Sequence, residues 1–315
     1  MAILAQFKHC NHLIRLRFRT LIAIYFVSTF AFQTLAVNTL FSSICEQSFS
    51  FESKLQEIPI GKELKSQVLI ELLARIDSET KHMENRVAAF DFDGTIFPYD
   101  IGAMVREYFV NNPKHSFARS IDPETFWNDL DDKKEDFAPH QAMILAGYTE
   151  EEINNIVRNH FFRNGLPLFS ELVIFIEELK KRNIKVLIVS ASPQPVLRAL
   201  SRHLGLPRGQ ILGTDVKLSE AGHFLPLVNG IVSNGPQKIH KLQENIAENE
   251  SLILAAGNTT WDKELLLRSR FGLSIRSANV DHNHYLSELK LSILSNSNSW
   301  AIYYPETISY IKSDL

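Results

Sequence analysis

Cysteine is nearly absent from this chain of 315 residues, with Cys10 and Cys45 the only two. A scaffold held by several disulfides is therefore excluded. An excess of positive charge is missing too: 33 Lys and Arg stand against 36 Asp and Glu, for a formal charge of -3. Such a chain has no basic field to gather phosphate backbones, so nucleic acid is not expected as a partner. Internal repeats and low-complexity tracts are also lacking. No acidic residue occurs before Glu46. What is present is a large apolar share, 45% of residues against 22% charged. That is enough to bury one large core, or a core with a smaller domain.

The acid-free start has its own pattern. Lys8, Arg15, Arg17 and Arg19 precede an uncharged stretch from Thr20 to Cys45, most apolar between Leu21 and Ala31. A basic flank followed by an apolar run is the layout of an export signal, and Thr34-Leu35-Ala36 offers a small-x-small cleavage site. The uncharged run also exceeds the roughly 20 residues that span a bilayer. Residues 1–36 are thus expected to be a signal peptide or a signal anchor. The protein would be exported, periplasmic or secreted, or held in a membrane through this segment if it stays uncleaved. Cleavage would remove Cys10 and leave Cys45 without an intrachain partner.

Beyond it, residues 37–86 form a lead-in whose apolar spacing (Leu64, Val68, Leu69, Leu72, Leu73, Ile76) predicts an amphipathic helix. A strand is expected over Val87 to Asp91. Residues 99–166 read as short helices, punctuated by Asn112-Pro113, Asp122-Pro123, Gly147 and a Thr149/Glu152 capping box. After Pro167 helix and strand alternate. Helices are expected at Phe169–Arg182, Pro195–Leu204, Lys238–Ile246 and from Asp262. Strands are expected at Lys185–Ser190, Gln210–Val216, Leu252–Ala256 and, last, Leu273–Arg276. Strands separated by helices predict an α/β fold, a Rossmann-like parallel sheet with helices on both faces. The helical stretch is too long for one crossover and reads as an inserted all-helical cap. The core would then be residues 87–98 and 167–280, with 281–315 a tail of mixed pattern.

In open parallel sheets ligands sit at the carboxyl ends of strands. Four polar clusters fall there: Asp91 with Asp93, Ser190, the segment Gly235 to Lys238, and Gly257-Asn258 through Asp262. Of the two carboxylates, one can attack phosphorus while the other protonates the leaving oxygen and later activates water. Two carboxylates facing a phosphate dianion need a cation, and Mg2+, a hard ion with oxygen ligands, suits them. By itself Asp91-Phe92-Asp93-Gly94 is also an ordinary solvated turn.

These clusters, in this order, resemble the haloacid dehalogenase superfamily of phosphohydrolases. Asp91-Phe92-Asp93-Gly94-Thr95 is similar to its first motif, Ser190 to the second, Lys238 to the third, and Gly257-Asn258 with Asp262 to the fourth. The resemblance implies an aspartyl-phosphate mechanism with Asp91 as nucleophile and Asp93 as acid and base. It further implies that Thr95 and Ser190 bind phosphoryl oxygens and that Lys238 neutralises the transferring group. Magnesium would be held by Asp91, Asp93, Asn258 and Asp262. Asn258 departs from the pattern, since an acid is commoner there and an amide brings no charge.

The cap resembles the phosphoserine-phosphatase-like branch, which implies a small phosphomonoester substrate. Asp100, nine residues after Asp91, is then either a contact for an amino or choline head group or the N-cap of the first cap helix. Arg106 and Arg119 read as solvated. Ser192 rivals Ser190 for the phosphate, Trp261 reads as packing, and His282 with His284 as a surface loop. A weak or inactive relative that binds phosphate or a partner is the competing function, motivated by Asn258.

Overall fold

The computed structural model describes residues 63–120, 137–276 and 300–312. The N-terminal signal or anchor, the Asp122-Pro123 boundary and the His282/His284 pair lie outside them. Among the described residues no helix is long and apolar enough to cross a membrane.

The first strand, β1 (Arg86–Phe90), has Val87, Ala88, Ala89 and Phe90 fully buried. A strand apolar on both faces must be covered on both, which requires the centre of a parallel sheet. Its neighbours are β3 (Lys185–Pro193) on one side and β7 (Ser251–Gly257) on the other, both parallel. The sheet extends to β4 (Ile211–Thr214), β8 (Phe271–Ile275) and β9 (Trp300–Tyr303), in the order β4-β3-β1-β7-β8-β9. All five pairings are parallel. Helix α1 (Gln67–Thr80) buries Leu69, Leu72, Leu73 and Ile76, spaced along one stripe, in the larger core cluster. On the other face Val87, Ala89, Leu187, Val189, Leu265 and Leu266 form the second cluster. The expected α/β class is what the chain adopts.

Register places the site. Phe90 lies opposite Ile188 of β3 and Ala256 of β7. The next residues of all three strands, Asp91, Val189-Ser190 and Gly257, therefore emerge at one level.

Between β1 and the second core segment the chain runs through α2 (Ile101–Asn111), α3 (Ser116–Arg119), α4 (Phe137–Met143) and α5 (Glu150–Ile156), which continues as a π-helical turn over Val157–Phe161. The capping box at α5 is formed: the Glu152 N–H donates to Thr149 Oγ1 at 3.2 Å, and the Thr149 N–H to Glu152 Oε2 at 2.9 Å. The described part of the insert is helical, as expected.

Four elements depart from the sequence pattern. Leu166–Phe169 is a strand, β2, rather than a loop running into helix; α6 (Ser170–Lys181) starts only after it. The helix expected over Pro195–Leu204 breaks at Leu200 into α7 (Gln194–Ala199) and α8 (Ser201–Leu204). A hairpin, β5 (Val216–Leu218) with β6 (Phe224–Val228), follows β4. The segment after Arg276 contributes β9 to the main sheet and β10 (Ile308–Ile311), antiparallel to β2. The strand at Phe271–Ile275 is therefore not the last, and the described tail belongs to the core. Helix α9 (Gln237–Gln243) and helix α10 (Lys263–Arg268) complete the described elements around the site.

Candidate active site

Asp91 follows β1 directly, and its N–H still donates to the Ala256 carbonyl at 2.9 Å. The carboxylate is held at both ends. Lys238 Nζ, carried by the first turn of α9, donates to Oδ1 at 2.6 Å, and Thr95 Oγ1 donates to Oδ2 at 2.9 Å. Thr95 can reach back because the chain winds tightly after the strand: the N–H groups of Thr95, Ile96 and Phe97 all point at the Phe92 carbonyl, 3.0–3.2 Å away. Gly94 makes the turn with φ of +69°, and a Cβ there would collide with the Asn258 carboxamide. The site thus needs glycine twice over, for the dihedral and for the close approach.

Asp93 is half-buried. Its Oδ1 accepts the Ile101 N–H at 2.7 Å, and its Oδ2 accepts from Ser192 Oγ at 2.7 Å and Ser190 Oγ at 3.2 Å. Asp262 is fully buried and spends both oxygens. Oδ1 accepts from Lys238 Nζ at 2.6 Å, while Oδ2 accepts the N–H groups of Asn258 and Thr259, each at 3.0 Å. Gly257 permits this packing, since a Cβ there would overlap the Asp262 side chain.

The electrostatics follow from burial and from the charge count. Asp91 and Asp262 share one ammonium, Lys238, and Asp93 stands beside them with no cation within salt-bridge distance among the described residues. Burial, then repulsion from Asp262, raises the Asp91 pKa to about 6 in spite of Lys238. Burial, then the charges of Asp100 and Asp91, raises Asp93 further, to about 8. Lys238 is held above the ordinary lysine range: its burial alone would lower it, but the adjacent Asp262 and Asp91 outweigh that. A carboxylate ionised above about 6 beside a carboxylic acid protonated up to about 8 can serve as a nucleophile next to a proton donor.

Among the described residues no three His, Cys, Asp or Glu side chains converge as a metal cage. The hard-oxygen donors grouped at the strand ends are the Asp91 and Asp93 carboxylates and the Asn258 amide, whose Oδ1 lies 3.4 Å from Thr95 Oγ1.

The structure brings Asp91, Asp93, Thr95, Ser190, Lys238, Asn258 and Asp262 together, with some duties different from those expected. Thr95, expected on a phosphoryl oxygen, has its hydroxyl on Asp91. Asp262, expected to serve a metal, anchors Lys238 and the loop that carries Asn258. Asp100 is the N-cap of α2: Oδ1 accepts the Ala103 N–H at 2.9 Å. Arg106 is buried rather than solvated, whereas Arg119 is exposed. Trp261 lies against Gly235, the packing role expected of it. The expectation missed Ser192 as a partner of Asp93. Its signal was available, because residues two apart on a strand face the same side.

The family model for haloacid dehalogenase-like hydrolases matches residues 88–266, and the chain belongs to that family. The protein CicA of Caulobacter vibrioides is 27% identical over 188 residues, covering 58% of this chain and 82% of its own length. Among solved structures, a protein of unknown function from Anaerococcus prevotii DSM 20548 aligns at 14% identity with a TM-score of 0.58, over 80% of this chain and 99% of its own. Another of unknown function, from Bordetella pertussis Tohama I, aligns at 16% identity and TM-score 0.53, over 69% and 97%. These two likenesses establish the shared fold.

Proposed function

We propose that this hydrolase is a magnesium-dependent phosphomonoesterase that works through an aspartyl phosphate on Asp91. The observation that carries this reading is the Asp91 carboxylate, clamped by Lys238 and Thr95, with the protonated acid Asp93 two residues on. Asp91 attacks phosphorus as the bond to the alcohol oxygen breaks, and Asp93 gives its proton to that oxygen. In the second step Asp93, now a carboxylate, takes a proton from water as the water displaces Asp91. Lys238 keeps Asp91 oriented and offsets the charge on the transferring group.

Magnesium fits the donor set, because three buried or half-buried carboxylates exceed one ammonium and two of them are raised acids. The Asp91 carboxylate, the Asp93 main-chain carbonyl and the side chain of Asn258 or Asp262 would hold it. A hard divalent cation supplies positive charge against the phosphoryl oxygens. The helical insert supports a small substrate, closed off from water. Asp100 supports an amino or choline head group: it is exposed, and its Oδ2 has no donor among the described residues. The basic and then apolar N-terminus supports export or membrane anchoring.

The test is turnover by the purified chain. Hydrolysis of p-nitrophenyl phosphate should require magnesium and stop with EDTA. Phosphoserine, phosphocholine and phosphoethanolamine should outrun uncharged esters if Asp100 reads a cation. Magnesium binding without turnover of any ester would favour the phosphate- or partner-binding reading that neutral Asn258 motivates.

A pH dependence follows from the raised acids. Between about pH 4, where unfolded carboxyls ionise, and the folded values of about 6 and 8, the folded chain binds more protons than the unfolded one. Without metal, stability therefore falls as pH rises through this window. A cation bound to the ionised Asp91 opposes that loss. Magnesium at about a hundred times its Kd adds about 2.7 kcal/mol, or roughly 5–10 °C in Tm for a domain of this size. The shift measured by thermal denaturation should be larger at about pH 8 than at about pH 5.5. An equal shift at both would place the ion away from these acids.

A further inference from the structure

We propose that Ser192 is the positioning residue for the general acid, leaving Ser190 free for the phosphoryl group. This rests on the phosphatase reading above. The two serines alternate along β3 and both reach Asp93 Oδ2, but unequally: Ser192 Oγ is 2.7 Å away and Ser190 Oγ 3.2 Å. The Ser192 N–H also donates to Ser190 Oγ at 3.1 Å. Both hydroxyls are buried, with relative exposures of 3% for Ser192 and 1% for Ser190.

The other oxygen of Asp93 is held as well. Oδ1 receives the Ile101 N–H at 2.7 Å, and a backbone N–H can only donate. The main chain therefore pins Oδ1, and Ser192 pins Oδ2 by the shorter of the two serine bonds. Held at both oxygens, the carboxyl group cannot turn about its Cβ–Cγ bond, which fixes the plane in which its proton is presented. Ser190, on the longer bond, is the hydroxyl that can leave Asp93 for a phosphoryl oxygen without freeing the acid. As the bond from phosphorus to the leaving oxygen breaks, its electron pair takes the Asp93 carboxyl proton, and Ser192 then donates to the carboxylate that remains.

The consequence is specific to the leaving group. Protonation matters little for a phenol that leaves readily as an anion and greatly for one that does not. The experiment measures kcat/KM of the full chain and its variants on 2,4-dinitrophenyl, 4-nitrophenyl and phenyl phosphate. Ser192→Ala should lose at least about tenfold more activity on phenyl phosphate than on the dinitrophenyl ester, within the span of general acid effects. Ser190→Ala should lose activity evenly across the series. Ser192→Thr, which keeps the hydroxyl, should restore the wild-type slope.

In an Asp93→Asn background, Ser192→Ala should cause no further loss; this comparison holds even if the single variant is less stable. Even losses for Ser192→Ala, or an undiminished effect in the Asp93→Asn background, overturn the assignment while leaving the phosphatase intact. Failure of the wild-type chain to hydrolyse any of the three esters overturns both.

Discussion

Replacing Asp91 by Asn should lower the turnover of p-nitrophenyl phosphate by at least about 10⁴-fold, the scale on which loss of a nucleophile is felt, while the chain keeps its fold. The amide is nearly the same size and carries no charge to attack phosphorus. Its surroundings survive the change. Lys238 retains Asp262 at 2.6 Å and can donate to the amide oxygen, so no buried ammonium is orphaned, and the amide NH2 can donate to the Thr95 hydroxyl. The raised pKa of Asp91 means that its ionised form is disfavoured where it sits. Asn removes that burden, so Tm should hold or rise slightly. Magnesium-dependent turnover surviving in this variant would exclude Asp91 as the nucleophile.

Much of this site was legible because its chemistry stands at the ends of buried strands. Val87-Ala88-Ala89-Phe90 and Val186-Leu187-Ile188-Val189 are short apolar runs that only a covered parallel sheet accommodates, and the acids and hydroxyls begin where they stop. The less legible parts depend on distant pairing. β10 meets β2 with Ile308 opposite Phe169, and Ser309 Oγ lies 2.7 Å from Ser170 Oγ. Nothing local to either strand announces the other, and Pro167 argues against a strand except at an edge, which is where β2 lies. The hairpin β5–β6 is hidden for another reason. Leu218, Leu225 and Leu227 are exposed apolar residues, so its pattern does not alternate cleanly between core and solvent. The duty of Asp262 could have been read locally. Thr259 and Asp262 stand three apart, the spacing of a capping box, and the Asp262 carboxylate does accept the Thr259 N–H.

That second duty of Asp262 makes Lys238 the residue whose loss is felt in stability and activity together. Lys238 Nζ is the cation between Asp91 and Asp262, at 2.6 Å from each, and its side chain is 3% exposed. Lys238→Met keeps most of the apolar stem and removes the charge, leaving two buried carboxylates face to face. Breaking a buried pair in this way costs about 3–5 kcal/mol, or roughly 6–20 °C in Tm. The repulsion already raises Asp91 with the lysine present. Without it Asp91 must rise further, so the variant's deficit should grow as pH increases and shrink toward about pH 5, where protonation of Asp91 relieves the clash.

Turnover should fall by about 10²–10³-fold, since a fixed cation at the transferring group is lost. Adding Asp262→Asn to Lys238→Met separates the two effects. The second substitution removes the opposing charge and should recover most of the lost Tm, but not the turnover, because nothing then offsets charge on the phosphoryl group. Lys238→Arg should stay impaired, as a forked guanidinium does not fit a slot shaped for an ammonium between two carboxylates. If the double variant regained turnover along with stability, Lys238 would be a structural cation and the charge at the transition state would have to come from elsewhere.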